Sequence, residues 1–573
     1  MPNKIARRLV SVLTGAALLA GSQMAFAESF SGAYLAAVQA DIRNDYVASS
    51  QYYSEALQRD PQNPLLLQSA MVAHVAAGNI DAAVAVARAM QQTEPDNQII
   101  GLVLLADALS ASDFATAKEI LASEGYALNP LLADLAKGWV EIGLGNPDAA
   151  NAQFEAMQSN DALQVYGQYH KALSLALLGN FADARIAMED GPDGPLHLSR
   201  TAIVAHVSIL SELGANEAAI AVINDALSGG FADKELEDMR ARLKDGETVP
   251  FTTIAGPADG IADTFVVLAS ALSRENAERF ALLYARLAVH IRPDFDEAIL
   301  MAGDILAAQQ QLDLAIKTYN TVSADSTWFT SAEIGRANAL NASERTDAAI
   351  EVLENLAKQN PNDIGIHTSL ADTLRGSERF EEAANVYDRA IGLLTEENPN
   401  HWVLFYSRGI SFERTDQWEK ADADFRHALE LQPDQALVLN YLGYSLVELG
   451  QNLEEAQAMI EKAVAARPDD GYITDSLGWV LYRVGKFEEA VPYMERAVEL
   501  MPVDPIINDH LGDVLWKVGR LREAEFQWKR ALSFDPEEED AERIRLKLEV
   551  GLDEVLEQET GNLSQGTANL QDG

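Results

Sequence analysis

Aromatic side chains stand beside charged and amide side chains in the last third of this 573-residue sequence, and several of these positions return after 34 residues. Tyrosine and tryptophan rings bury a large area on binding, and neighbouring polar groups orient what they bind. Such a set suits non-covalent recognition of an extended peptide. The candidate binding residues are Tyr406, Arg414, Asn440, Tyr444, Tyr472, Asp475, Trp479, Tyr482, Arg483, Asp509, Asp513, Trp516 and Lys517. The alternative is packing within the repeats, with Trp479 and Trp516 bracing neighbouring helices.

The sequence contains no recognisable residue set for catalysis or for binding a metal or a cofactor. Its nine histidines are scattered singly, so a zinc hydrolase would lack its ligand set. Phosphate-binding glycine loops, the dinucleotide fingerprint and the nucleophile elbow are all absent. Acidic pairs such as Asp469-Asp470 and Glu488-Glu489 are expected to be solvated turn or helix-surface groups. We therefore predict neither enzyme, metal nor cofactor; the enzymatic alternative is a site in the weakly repetitive N-terminal half.

The composition narrows the class of partner. Lys and Arg total 43 against 88 Asp and Glu, which gives a formal net charge of −45. A nucleic acid is therefore not expected as a partner, because its affinity comes from neutralised phosphates, and an anionic membrane surface is disfavoured for the same reason. The acidity serves either solubility or the steering of a basic partner. The lack of cysteine excludes disulfides, thiolate zinc sites and a lipid-bearing N-terminal Cys.

A repeat of close to 34 residues runs from Phe265 to Pro536. Twelve residues after nearly every unit's marker stands an alanine, and a proline closes most units. Small residues at two fixed positions predict two helices that cross closely, and the proline, which lacks an amide proton, predicts the end of the second helix. The small residues that mark the units are Ala269, Gly303, Ala337, Ala371, Gly409, Gly443, Gly478 and Gly512.

This pattern resembles the tetratricopeptide repeat (TPR), a helix-turn-helix unit with small residues at the helix crossing. The resemblance implies an all-α superhelical solenoid of roughly 12–14 such units, strongest in the C-terminal half. In a TPR unit the first helix lines the concave side, so the candidate binding residues are expected to face a concave groove. The clamp with which chaperone-binding TPR domains hold a terminal carboxylate is not matched, because Asp and Tyr occupy several of its positions.

Domain boundaries follow from the strength of the repeat. Residues 28–228 carry degenerate TPR-like repeats, and residues 262–538 carry eight TPR units. Between them, the turn residues of segment 229–261 interrupt the helical period, which predicts either an elbow or an irregular break without a mechanical role. Residues 539–573 are expected to form a capping helix and a disordered tail.

The first 27 residues have the pattern of an export signal. Three cations among the first eight residues precede an apolar stretch from Leu9 to Leu19, and Ala25 and Ala27 form a small-residue cleavage site. Cleavage after Ala27 would start the mature chain near Glu28. No later stretch is long enough to span a membrane, so we predict a periplasmic protein, soluble or peripherally associated with the envelope. An uncleaved N-terminal anchor is the alternative.

The last repeats are more specific than a generic TPR. Segments 475–485 (DSLGWVLYRVG) and 510–516 (HLGDVLW) resemble long exported TPR proteins of Gram-negative bacteria, including a lipoprotein adaptor of a carboxyl-terminal processing protease. The resemblance implies a non-enzymatic scaffold or adaptor whose protein partners are a processing protease and its substrates. The alternative is a structural component of an envelope export or polysaccharide-secretion complex. The lipoprotein carries an N-terminal Cys for its lipid, which this chain lacks.

Overall fold

The computed structural model describes residues 30–91, 97–160, 163–192, 194–228 and 233–559. The predicted export signal with its cleavage site at Ala27, and residues 560–573 of the predicted tail, lie outside the described residues. Within the described ranges the regular structure is helical throughout, with short 3-10 turns and no strand. The prediction of an all-α solenoid is therefore confirmed.

The chain packs into two compact units, the first ending at Leu356 and the second beginning at Ala357. The predicted repeat boundaries concern sequence rather than packing and stay predictions. Helices of the first unit are α1 (Phe30–Ile42), α2 (Tyr46–Leu57), α3 (Pro64–Ala76), α4 (Ile80–Gln91), α5 (Gln98–Ser110), α6 (Phe114–Ala122), α7 (Pro130–Gly143), α8 (Pro147–Ala156), α9 (Gln164–Leu177), α10 (Phe181–Glu189), α11 (Arg200–Glu212), α12 (Asn216–Leu227), α13 (Lys234–Lys244), α14 (Pro257–Arg274), α15 (Glu278–Ile291), α16 (Asp296–Ala308), α17 (Leu312–Tyr319), α18 (Phe329–Ala342) and α19 (Thr346–Gln359), the last running past Leu356.

The second unit continues the same helix-turn-helix order. Its helices are α20 (Ile364–Gly376), α21 (Phe380–Gly392), α22 (Trp402–Glu413), α23 (Trp418–Leu431), α24 (Ala436–Glu448), α25 (Leu453–Ala466), α26 (Gly471–Arg483), α27 (Phe487–Leu500), α28 (Pro505–Lys517), α29 (Leu521–Leu532) and α30 (Glu538–Val550). A further helical segment covers residues 552–559. Helices α20–α29 form consecutive pairs, and α30 follows the last pair.

The two helices of a pair cross where the sequence places small residues. A Cβ added at Gly512 of α28 would lie only 2.4 Å from Cδ1 of Trp528 on α29, and one added at Gly409 would lie 2.7 Å from Cε1 of Phe425. The alanines twelve or thirteen residues after the markers are fully buried in every unit. They are Ala281, Ala315, Ala349, Ala383, Ala421, Ala456, Ala490 and Ala524.

The turns within pairs also follow from local chemistry. Gly485 and Gly519, with φ of +81° and +79°, adopt the left-handed conformation that ends α26 and α28 and that glycine reaches without steric cost. Before α28, Asp504 accepts a hydrogen bond from the Ile507 amide at 3.0 Å, and Pro505 occupies the first turn. Each pair therefore has defined ends, and its first helix presents a fixed face.

In the first unit, α14 and α15 lie against the first helices of the N-terminal pairs, chiefly α3, α5 and α7. Gly260 of α14 packs so closely on α7 that an added Cβ would lie 2.0 Å from Cε2 of Trp139. Arg279 of α15 forms an ion pair with Asp41, and Arg286 donates to the Ala76 carbonyl at 3.3 Å. The first unit thus fills the inner face of its own N-terminal helices, which explains why most of α5 is buried.

A buried polar relay joins α7, α9 and α14. The Trp139 indole Nε1 donates to Nδ1 of His170 at 3.0 Å, which leaves the proton of the neutral imidazole on Nε2, 3.8 Å from Oδ2 of Asp263. Burial, followed by the charge of Glu297, raises the pKa of Asp263 to about 7, and burial lowers the pKa of His170 to about 3. Folding therefore favours the protonated carboxyl and the neutral ring.

Substituting Asp263→Asn is expected to change how the stability of the first unit depends on pH. A folded pKa above the unfolded value means that the contribution of Asp263 is fully present below about pH 4 and is lost as the pH rises through 7, by at most about 4 kcal/mol. Hydrogen exchange of α14 amides, measured from pH 5 to 8, should show a fall in opening free energy with pH in the wild type relative to the variant. His170 contributes with the opposite sign but is present in both proteins. Parallel pH profiles would contradict this assignment.

Substituting Gly512→Ala is expected to lower the free energy of unfolding of the second unit by about 1–3 kcal/mol, because the methyl group overpacks the α28–α29 crossing. Gly392→Ala is the matched control, since its added Cβ meets no atom within 4 Å. The control is expected to be neutral or stabilising by up to about 1 kcal/mol. Urea unfolding followed by circular dichroism compares the two. Equal unfolding midpoints would show that the crossing tolerates a methyl group.

Candidate protein-binding surface

The candidate binding residues are carried by four successive first helices of the second unit. Helix α22 carries Tyr406, with Arg414 directly after its end, and α24 carries Asn440 and Tyr444. Helix α26 carries Tyr472, Asp475, Trp479, Tyr482 and Arg483, and α28 carries Asp509, Asp513, Trp516 and Lys517. The structure thus places them at corresponding positions of neighbouring units, and their surroundings differ from helix to helix.

At α22, aromatic rings form a half-buried cluster. The ring of Tyr406 packs edge-on against Tyr441 at a centroid distance of 5.8 Å, and both contact Phe425. The Tyr441 hydroxyl donates to Glu413 at 3.2 Å, and the guanidinium of Arg414 lies 4.8 Å from the Phe380 ring centroid. The Arg414 side chain remains exposed. This end of the surface therefore combines an aromatic floor with an available cation.

At α26, Trp479 is stacked between two other rings. Its ring lies 3.9 Å from that of His510 and 4.8 Å from that of Tyr482, with an interplanar angle of 13° in each case. Its indole Nε1 donates to Glu448 at 2.7 Å, and Arg483 binds the same carboxylate at 3.1 Å. Trp479 and Tyr482 are each only 8% exposed, so most of their area packs within the unit. These two rings therefore contribute little accessible area to the surface.

The stack is held by an ion pair between α26 and α28. Nδ1 of His510 lies 3.0 Å from Oδ2 of Asp475. Burial lowers the pKa of His510, but the Asp475 carboxylate, assisted by the charges of Asp509 and Asp513, outweighs burial and leaves that pKa above its ordinary value. The hydrogen bond with His510 accounts for the burial of Asp475, because a buried carboxylate needs a partner.

At α28, the chain's own C-terminal segment covers the candidate residues. Nζ of the fully buried Lys547 lies 2.7 Å from carboxylate oxygens of both Asp509 and Asp513. Asp513 also accepts from Nε1 of Trp528 at 3.0 Å. Burial and the neighbouring Asp513 raise the pKa of Asp509, although Lys547 acts in the opposite direction. These two aspartates are therefore engaged inside the protein.

Two further candidates of α28 contact the same segment. Nε1 of Trp516 donates to Asp553 at 3.0 Å, and Lys517 forms an ion pair with that carboxylate. A Cβ added at Gly551 would lie 2.8 Å from the Trp516 ring. Sequence reasoning missed the role of Lys547, because one lysine in a charged helix gives no signal that it is buried.

An accessible part of the surface remains between α22 and α26. Arg414, Tyr472 and Arg483 are exposed, and Tyr406 and Tyr444 are partly exposed. Oδ1 of Asn440 is buried and has no hydrogen-bond partner within the described residues. A buried carbonyl without a donor is costly, and because this oxygen is inaccessible it offers no acceptor to a partner at the surface.

No group of three or more His, Asp or Glu within the described part of the chain could hold a metal ion. None of the helices in the described ranges is both long and apolar enough to cross a bilayer.

The family model for the tetratricopeptide repeat matches residues 135–195, 334–400, 406–474 and 475–539. The chain therefore contains tetratricopeptide repeats in both units, as its spacing predicts, and its all-α fold is a TPR solenoid. Stacked repeats of this kind form extended concave surfaces that serve as binding surfaces.

Among proteins of known sequence, a TPR repeat-containing protein of Pseudomonas aeruginosa is 28% identical over 192 residues. The match covers 33% of this chain and spans about a third (32%) of the length of that relative.

Among solved structures, the APC/C hetero-tetramer Cut9-Hcn1 is similar over 86% of this chain and 98% of its own, at 13% identity and a TM-score of 0.37. YrrB, described as a TPR protein with an unusual peptide-binding site, matches 31% of this chain and 90% of its own, at 21% identity and a TM-score of 0.25. The MamA protein matches 30% of this chain and 93% of its own, at 19% identity and a TM-score of 0.27.

Substituting Lys547→Met is expected to lower the free energy of unfolding of the second unit by about 3–5 kcal/mol, because Asp509 and Asp513 lose the buried counter-charge. Lys529→Met, which removes a lysine whose side chain is 63% exposed, is the matched control and should change stability by less than about 1 kcal/mol. Urea unfolding and hydrogen exchange of α28 report the difference. If the two variants unfold at the same urea concentration, the ion cluster does not hold the C-terminal segment in place.

Proposed function

We propose that this protein is an exported, non-enzymatic TPR scaffold that binds a protein partner along the first helices α22, α24 and α26 of its second unit. The proposal rests on a difference between the two units: the chain itself covers the faces of the first helices in one unit and leaves several of them open in the other. In the first unit, α14 and α15 fill the inner face of α3, α5 and α7. In the second unit, the C-terminal segment covers the candidate residues of α28. Arg414, Tyr472 and Arg483, which belong to the preceding helix pairs, remain exposed.

The chemistry of this surface suits a polypeptide. Partly exposed rings of Tyr406 and Tyr444 supply apolar contact area, and the exposed guanidinium groups of Arg414 and Arg483 supply forked donors for carboxylates or backbone carbonyls. Binding and positioning require no reacting group, which agrees with the lack of a recognisable catalytic set in the sequence.

Export is the second part of the proposal. The pattern of residues 1–27, with cleavage after Ala27, supports a mature periplasmic protein that is soluble or peripherally associated with the envelope. The resemblance of the last repeats to exported adaptor proteins favours a carboxyl-terminal processing protease and its substrates as partners. An adaptor of this kind acts by raising the local concentration of substrate at the protease.

The test is affinity capture of the tagged mature protein from a periplasmic extract of its own host, with mass spectrometry and a proteolysis assay on the proteins recovered. The exported chain should begin near Glu28. Recovery of a processing protease whose turnover rises on addition of this protein supports the adaptor. Recovery of secretion or envelope-assembly components without an effect on proteolysis replaces the adaptor with the structural alternative.

The surface is tested with the double variant Arg414→Glu, Arg483→Glu, which should weaken partner binding at least about tenfold because it removes both exposed cations of the surface. Arg389→Glu, Arg522→Glu is the matched control, since both arginines are exposed on second helices. Circular dichroism checks that each variant stays helical. Equal loss of binding in both double variants would show that overall charge, rather than this surface, governs binding.

A further inference from the structure

Four exposed apolar side chains occupy one repeat position in the second unit. They lie six residues before the markers Gly409, Gly443, Gly478 and Gly512, in the first turns of α22, α24, α26 and α28. We call them the apolar row: Val403 (43% exposed), Leu437 (36%), Tyr472 (57%) and Ile506 (37%). Single exposed apolar residues are ordinary, but an unbroken series in four consecutive units indicates a contact surface.

In the four preceding repeats the same position is not occupied by an apolar residue. There it is occupied by Asp263, Glu297, Ser331 and Gly365. Because the helix pairs share one architecture, a first-turn position needs no apolar residue for folding. The change to Val, Leu, Tyr and Ile therefore requires a reason other than the stability of the helix pair.

In the first unit, residues at this position contact residues of other helices. Asp263 of α14 faces His170 of α9 at 3.8 Å, and Glu297 of α16 accepts a hydrogen bond from Thr201 of α11 at 2.6 Å. At this position in the first unit, side chains of two first helices thus contact residues of other first helices. In the second unit its members are exposed instead.

The surroundings of the apolar row are mainly acidic. Asp434 and Asp469 are exposed in the turns before α24 and α26, and Glu396 and Glu397 are exposed in the loop before α22. Arg467 and Arg496 offset part of this charge, because they lie 4.0 Å and 3.0 Å from Asp470 and Asp469. Carboxylates beside apolar side chains complement a partner that combines apolar residues with Lys or Arg.

A cleft beside Tyr472 could accept a side chain of the partner. It has a volume of about 540 Å³ and is lined by residues 467–472 and by Met501. Its walls combine the apolar side chain of Met501 with Arg467 and with the carboxylates of Asp469 and Asp470, which are paired with Arg496 and Arg467. A long side chain with an apolar stem and a cationic end fits such walls.

We propose that the apolar row docks a basic amphipathic α-helix of the protein partner. This inference rests on the proposed function and specifies the chemistry of the partner. Neighbouring packed helices lie about 8–10 Å apart, and seven residues of an α-helix rise about 10.5 Å. A helix lying along the row therefore meets one unit per heptad, with apolar residues towards the row and Lys or Arg on its flanks. In an extended strand about three residues span the same distance, so successive contacts would fall on opposite faces of the strand. The spacing of the row therefore favours a helix over an extended strand.

The probe is a fluorescein-labelled synthetic peptide of about 28 residues, with Leu at the a and d positions of each heptad and Lys and Ala elsewhere. A peptide of the same composition in scrambled order and a peptide with two central prolines are the comparison probes. Binding to the mature full-length chain is measured by fluorescence anisotropy. The heptad peptide should bind at least about tenfold more tightly than either comparison peptide, and the difference should persist at raised salt because apolar contacts are not screened.

The row is tested with the triple variant Leu437→Gln, Tyr472→Gln, Ile506→Gln, which should weaken binding of the heptad peptide at least about tenfold. The matched control, Tyr493→Gln, Leu521→Gln, Phe526→Gln, replaces side chains that are 38%, 46% and 60% exposed and lie on second helices or at the start of one. It should change affinity less than about twofold. Unchanged binding by the row variant overturns the inference.

Other occupants give different results. Equal binding of the proline peptide would replace the helix with an extended segment, and concentration-dependent dimerisation that the row variant abolishes would replace it with a second copy of this chain. Both overturn the inference as stated.

The partner captured from the periplasm separates this inference from the proposed function. If the row variant retains that partner while Arg414→Glu, Arg483→Glu loses it, the scaffold stands and the row is not its docking surface; if neither variant loses it, the proposed surface itself is wrong.

Discussion

Close crossing of two helices at a small residue is the constraint on which the rest of this structure depends. At Gly512 and Gly409 the partner helix brings an aromatic ring to a distance that leaves no room for a methyl group. A side chain of the second helix comes comparably close to Gly303, Gly443 and Gly478, and alanine takes the place of glycine in three other repeats. Every one of these repeats has a fully buried alanine on its second helix. Because the crossing fixes the two helices of a unit, it also fixes which side chains each first helix presents to its neighbours and which it presents outward.

Polar groups are buried at both places where the chain covers its own first helices. In the first unit the Trp139, His170 and Asp263 relay lies between α7, α9 and α14, and in the second unit Lys547 joins Asp509 to Asp513. Burying polar or charged groups costs free energy unless they are paired, so neither cluster is explained by stability alone. Each cluster makes one placement of the covering helix preferable to others, because a shift separates Lys547 from its two carboxylates or the neutral His170 from the protonated Asp263.

The two units differ in how far the chain itself covers the faces of their first helices. The first unit uses the faces of α3, α5 and α7 for its own packing, and its hydrophobic core runs through them. The second unit leaves rings and cations of α22, α24 and α26 partly open and adds exposed apolar side chains in the first turns of these helices. We therefore propose that the open faces of the second unit, rather than the covered faces of the first, bind the partner.

The sequence by itself determined the solenoid, its register and the first helices that carry the candidate residues, because the helix crossing is a local contact that repeats at a fixed spacing. It also located Tyr406, Arg414, Tyr444, Tyr472 and Arg483 at positions that the structure leaves wholly or partly exposed. Only the tertiary structure decided that α14 and α15 fill the inner face of the N-terminal helices, and that Lys547 covers Asp509 and Asp513. The first contact depends on the rotation accumulated over several repeats, which no spacing within one repeat records. The second depends on how the segment after the last helix pair returns onto α28, and that segment does not follow the repeat.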